Sequence, residues 1–134
     1  MPNNTAFDVG TGDFTIEWFM YLNSVSGYAR VFSIGSYPSA TLGVSIEGSG
    51  SSLYFWRSGL AGLNMTMPNA FNTNTWYHIA LVRKYNVGTT LFVNGLSGGR
   101  LYTDNSTLQD IANVFIGAAN DGSSSLLKGH ISNL

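Results

Sequence analysis

Between residues 14 and 22, side chains alternate with a period of two. Phe14, Ile16, Trp18 and Met20 form an apolar row, and Thr15, Glu17, Phe19 and Tyr21 form a mixed row facing the other way. That pattern predicts a strand with one buried face. Residues 75–84 repeat the period with a difference. Trp76, His78, Ala80 and Val82 share one face, Tyr77, Ile79, Leu81 and Arg83 the other, and both faces are mostly apolar. Such a strand is expected mid-sheet, with cover on both sides. A polar turn at 85–88 leads into a partner strand at 89–93. Asn94-Gly95, two residues that tolerate positive φ, then supplies a strong hairpin signal.

Further short strands are predicted at 29–36 and 40–47, joined around Pro38, and at 52–57. In the last of these, Tyr54 and Trp56 share one face and Leu53, Phe55 and Arg57 the other. Residues 63–67 read as a strand stopped by Pro68, and 100–103 as a brief one. Residues 104–111 hold the one candidate helical turn, capped by Asp104 or Ser106. Strands at 113–118 and 126–134 close the chain. No helical apolar period is sustained. The class is therefore all-β, a sandwich or barrel. Trp18, Trp76, Ile79, Leu81, Val93 and Ile116 are its expected core.

Composition narrows the function. The 134 residues suit one domain spanning 1–134, and 44% hydrophobic content suffices for a core. Charged residues make up only 10%, against about 25% in an average soluble domain. Ser, Thr, Asn and Gly must therefore cover the solvated faces. Six Lys and Arg, scattered singly, do not neutralise a phosphate backbone, so no nucleic-acid partner is expected. The absence of cysteine excludes disulfides, thiolate metal sites and a cysteine nucleophile. Met1-Pro2-Asn3-Asn4 begins no signal peptide, and no run reaches the ~20 apolar residues of a membrane span.

Residues 8–22, with Gly10-Thr11-Gly12-Asp13-Phe14-Thr15-Ile16-Glu17-Trp18, resemble the opening strand of laminin-G-like domains of the concanavalin A-like lectin/glucanase superfamily. Trp76-Tyr77-His78-Ile79-Ala80-Leu81-Val82-Arg83, followed by Leu91-Phe92-Val93-Asn94-Gly95, resembles that family's middle hairpin. Residues 113–117 and 129–134 resemble its closing strands. The resemblance covers nearly the whole chain in the family's order. It implies a jelly-roll β-sandwich of two curved antiparallel sheets. It also implies binding of carbohydrate or protein ligands, often through rim loops and sometimes with calcium, in secreted proteins or in phage tail and virion proteins. An extracellular or virion-surface location is the matching expectation. The family normally has a strand before residue 8 that pairs with the closing strand. Here only seven residues precede Asp8, and the closing strand stops at Leu134. The first strand and the end of the last are thus expected to be lacking. An open edge at 129–134 invites pairing with another copy, giving a homo-oligomer.

Glycoside hydrolysis needs two carboxylates about 5–9.5 Å apart. The only glutamates, Glu17 and Glu47, have no acid two or three residues away, so no catalytic residue is assigned and Glu17 reads as a solvated side chain. His78, amid aromatic and aliphatic neighbours, reads as structural with one hydrogen-bonded ring nitrogen. His78 and His130 lie too far apart in sequence for a zinc pattern. Asn120 and Asp121 form the better of two weak calcium candidates, and the expectation is no cofactor. A sugar site combines an aromatic platform with amides and carboxylates. Tyr28, Trp56, Arg57, Tyr102, Asp104, Asn105, Asn120 and Asp121 have that chemistry in or beside loops; Trp56 also reads as core. The leading expectation is a non-catalytic recognition module for a glycan or surface-protein ligand. The alternative is a structural assembly domain, and a glycosidase-like enzyme comes third.

Overall fold

A computed structural model describes residues 9–25, 27–35, 42–47, 52–57, 60–66, 71–98, 103, 107–108 and 113–134, without the side chains of 47, 57 and 60–66. Ten strands are present: β1 (Phe14–Leu22), β2 (Ala29–Ile34), β3 (Leu42–Glu47), β4 (Ser52–Arg57), β5 (Leu60–Thr66), β6 (Trp76–Lys84), β7 (Gly88–Val93), β8 (Leu96–Ser97), β9 (Val114–Ile116) and β10 (Gly129–Ser132). They form two five-stranded antiparallel sheets, ordered β10-β1-β6-β7-β8 and β5-β4-β3-β2-β9. The all-β sandwich expected from alternation is present.

The apolar rows explain the layering. β1 and β6 pair in register, with Ile16 opposite Leu81 and Trp18 opposite Ile79. This sets Trp18, Met20, Leu22, Ile79 and Leu81 on one face, where all are buried. The second sheet answers with Phe32, Ile34, Leu42, Val44, Ile46, Leu53 and Phe55. Trp18 and Phe32 meet edge to face across the layers, with ring centroids 5.3 Å apart. A bulge in β2 between Arg30 and Phe32 lets both Val31 and Phe32 turn inward.

Turn chemistry follows the sequence. Asn94 and Gly95, with φ of 50° and 78°, join β7 to β8. Asn94 also grips β6: its amide N–H donates to the His78 carbonyl, and its Oδ1 accepts the His78 N–H. At the other end of β6, Arg83 is buried, stands over the rings of Phe14 and Tyr85, and donates to the Gly10 carbonyl.

Several expectations need correction. The outer face of β6 is exposed toward its start, so Trp76 is 50% exposed rather than buried, while Ala80 on the same face is buried. Ile116 is 42% exposed, because β9 is an edge strand and Ile116 ends it. The last strand is Gly129–Ser132, shorter than 126–134. β5 begins earlier than expected, at Leu60. Leu108 forms an antiparallel bridge with Gly10, which is not helical pairing; most of 104–111, and residues 100–102, lie outside the described residues.

Candidate functional site

The outer face of the first sheet carries aromatic side chains that are half-buried to exposed. Register brings them together. Tyr21 on β1 lies opposite Trp76 on β6 and opposite His130 on β10. One row therefore crosses three strands, with centroid separations of 5.4 Å (Trp76 to Tyr21) and 5.8 Å (Tyr21 to His130). Phe19 lies opposite His78 and Ser132, and the Phe19 and His78 rings are 5.1 Å apart. Trp76 and Phe19 are exposed, at 50% and 42%.

Polar groups sit among these rings. The small Ala80 stands opposite Glu17. Glu17 reaches His78 instead, with Oε2 3.3 Å from Nε2. Both side chains are open to solvent, so the pair adds little stability, about 0–1 kcal/mol. At that distance the carboxylate biases the orientation of the imidazole. Asn74 adopts φ of 58°, a left-handed conformation that asparagine tolerates. Its N–H donates to the Leu22 carbonyl, and its Oδ1 accepts the Tyr21 hydroxyl at 3.2 Å. The loop before Trp76 is anchored from below. Phe71 is buried edge-on against Tyr77 at 4.9 Å, and the Asn72 N–H donates to the Tyr77 hydroxyl.

The residues nominated from sequence divide. Tyr28, Asn120 and Asp121 occupy the end of the sandwich where the Tyr21–Trp76 row lies. Backbone bonds from Asn23 to Lys128, from Arg30 to Ser125 and from Asn74 to Leu22 tie the loops of that end together. Tyr28 is 65% exposed there. Trp56 is a correction. It projects from the outer face of the second sheet, yet it is buried: its indole lies across Gly43, with the Arg30 guanidinium 4.2 Å from the ring centroid. A ring so enclosed offers no stacking face. The Arg57 side chain and Tyr102, Asp104 and Asn105 lie outside the described residues.

Asp121 organises its own loop. Its Oδ1 accepts the N–H groups of Ser123 and Ser124, both at 2.8 Å, and Gly122 supplies φ of 70°. These amide bonds hold the carboxyl at about 2, below its ordinary 3.8. Calcium takes six to eight oxygens. Asn120 and Asp121 fit it poorly, with one carboxylate oxygen already engaged by two amides. Among the described residues no three His, Cys, Asp or Glu cluster as a metal site.

Sequence reasoning missed Phe19, Tyr21, Asn74, Trp76 and His130 as a site. Their signal was present: the outer rows of both long strands are aromatic toward one end. A second concavity, of about 380 Å³, opens between the sheets beside β9 and β10, lined chiefly by Ile16, Phe32, Ile34, Val114, Ile116 and Leu134.

Two face-to-face antiparallel five-stranded sheets define a jelly-roll β-sandwich. The chain belongs to the concanavalin A-like lectin/glucanases superfamily, whose laminin-G-type family model matches residues 2–134. Among solved structures it is similar to a heptameric SAP-like pentraxin from Limulus polyphemus, with TM-score 0.70 and 15% identity over 98% of this chain and 71% of that one. It is also similar to a carbohydrate-binding protein from Bacteroides ovatus described as putative, with TM-score 0.65, 17% identity, and coverage of 92% of this chain and 36% of that one. A Trypanosoma rangeli sialidase matches with TM-score 0.67 and 18% identity over 92% of this chain and only 20% of the sialidase. At these identities the likeness establishes the fold. The chain thus spans about a third of the second protein and a fifth of the third. A comparison with curated protein sequences finds no match.

Proposed function

We propose that the protein is a non-catalytic recognition module that binds carbohydrate on the outer face of its first sheet. The observation that carries this reading is the solvent-open row of Trp76, Tyr21 and His130 beside Phe19 and His78. Sugar rings present apolar C–H faces and hydroxyl edges. Aromatic faces take the former, and the Asn74 amide, the imidazoles and Glu17 take the latter. A non-enzymatic role is supported by the placement of the acids. Glu17 stands on a strand of the first sheet and Glu47 on a strand of the second, a placement that does not favour a carboxylate pair. Recognition without bound calcium is supported by the engagement of Asp121. A secreted or virion-surface setting is our proposal from the low charge content.

The assembly reading is kept second on one observation. β10 ends its sheet, with no neighbour on its far side among the described residues, and the apolar cleft lies beside it. A second copy pairing there makes a closed oligomer.

A glycan array probed with the protein and with Trp76→Ala, with and without a calcium chelator, tests the first reading. Binding that is chelator-insensitive and weakened in the variant is expected. Silence on the array with a stable oligomer in light scattering shifts the function to assembly.

A further inference from the structure

We propose that this face binds the interior of an uncharged polysaccharide chain, rather than a terminal sugar or an acidic glycan. The inference rests on the carbohydrate reading above and names its ligand class.

Shape is the first argument. The rings stand on three adjacent strands, β6, β1 and β10, and form part of an open sheet face. A chain end is recognised by enclosing it, and enclosing a small ligand takes a concave site. The described cleft between the sheets is concave, but six of its nine lining residues are apolar (the polar ones are Thr15, Glu17 and Asn133), and the aromatic row lies outside it. An open row with two ring-to-ring steps of 5.4 and 5.8 Å suits a chain that enters at one side and leaves at the other.

Charge is the second argument. Carboxylate and sulfate groups on sugars are held best by arginine, which offers paired donors. No arginine is described on this face. Arg30 lies against Trp56 of the other sheet, and Arg83 is buried on the inner face. Lys84 shares the outer face of β6 but lies eight residues beyond Trp76, about 26 Å along an extended strand. Lys128 sits at the rim, two residues before His130. Against it stand Glu17 within the face and Asp121 in the rim loop. Glu17 stands two residues from Phe19 along β1 and repels an anion laid over the rings. The remaining groups are an amide, a phenol, a serine hydroxyl and imidazoles. These both donate and accept, as hydroxyls do.

The test is isothermal titration of the intact chain with neutral oligomers (cello-, xylo- and manno-oligosaccharides, from mono- to hexasaccharide) and with acidic probes (heparin, hyaluronate and sialyllactose). Affinity for at least one neutral series is expected to climb with length and then level off. Each ring engaged should contribute a factor of about 2 to about 12. Binding should hold between about 0.1 M and about 1 M salt, where the Debye length shrinks from ~10 Å to ~3 Å. Lys128→Met should leave it within about threefold, a fraction of a kilocalorie in binding free energy. Equal affinity for a monosaccharide, a requirement for an acidic probe, or loss with salt or with Lys128→Met overturns the inference while the carbohydrate reading stands. If a folded protein binds none of these probes, or Trp76→Ala binds as well as the parent, the carbohydrate reading of this face falls with it.

Discussion

Replacing Gly43 by alanine attacks the contact that hides Trp56. β3 and β4 set the two residues opposite one another, and the indole lies across the glycine. A Cβ at position 43 falls 2.6 Å from both Cε2 and Cη2, nearer than real Cβ atoms approach a neighbour. The ring has no free direction of retreat. The Arg30 guanidinium lies 4.2 Å from its centroid, and the Tyr54 ring stacks beside it at 6.3 Å. Overfilling a packed site costs about 1–3 kcal/mol, and tilting the ring away from Arg30 loses about 0.5–2 more. We expect Gly43→Ala to destabilise the fold by about 2–4 kcal/mol on those grounds. Trp56→Ala alone should cost about 3–5 kcal/mol. The double variant should cost little more than Trp56→Ala, because the added methyl then has nothing to strike. Urea melts followed by far-UV circular dichroism close the cycle, and a coupling of about 2–4 kcal/mol, nearly the whole cost of Gly43→Ala, is expected. Additivity within about 0.5 kcal/mol would refute the packing argument and return Trp56 to the list of candidate ligand contacts.

Leu81→Ala should cost about 2–5 kcal/mol in the same melts, since the side chain is fully buried at the centre of the first sheet; a loss under about 1 kcal/mol would misplace β6. Trp76→Ala should cost much less stability, under about 1.5 kcal/mol for a half-exposed ring, while lowering glycan affinity by a factor of about 2 to about 12. Asp121 has a lowered carboxyl pKa in the folded protein, so its contribution is present above about 3.8 and is lost as pH falls toward about 2. The Ser123 and Ser124 amide resonances should therefore titrate with a midpoint near 2, and a midpoint near 3.8 would mean the two amide bonds do not form in solution. Gly129→Ala should loosen β10, because a Cβ there meets the Tyr21 carbonyl oxygen; faster amide exchange in Gly129–Ser132 is the expected signature.

Much of the fold was legible because burial follows the two-residue period. The inner row of β1 could be read directly, and Asn94-Gly95 announced its turn. The two tryptophans that were misread show where that logic stops. Trp76 sits in an outer row that is as apolar as the inner one, and alternation alone does not say whether such a row is covered or bare. Trp56 reads as a candidate platform and, in preference, as core; only the pairing of β3 with β4 shows Gly43 beneath the indole. The row of Trp76, Tyr21 and His130 joins three distant stretches of chain, so only strand order and register reveal it. Asp121 was recognised as a good turn residue and as a weak cation ligand, and its bonds to Ser123 and Ser124 favour the turn.

The account stands on the outer face of the first sheet. The most direct measurement is titration calorimetry of a neutral hexasaccharide panel into the protein and into Tyr21→Ala/Trp76→Ala, with folding of both checked by circular dichroism. Saturable binding by the parent, and binding weaker by about 4-fold to about 140-fold in a folded double variant, are expected. Undiminished binding by that variant, or no binding by the parent, would contradict the account.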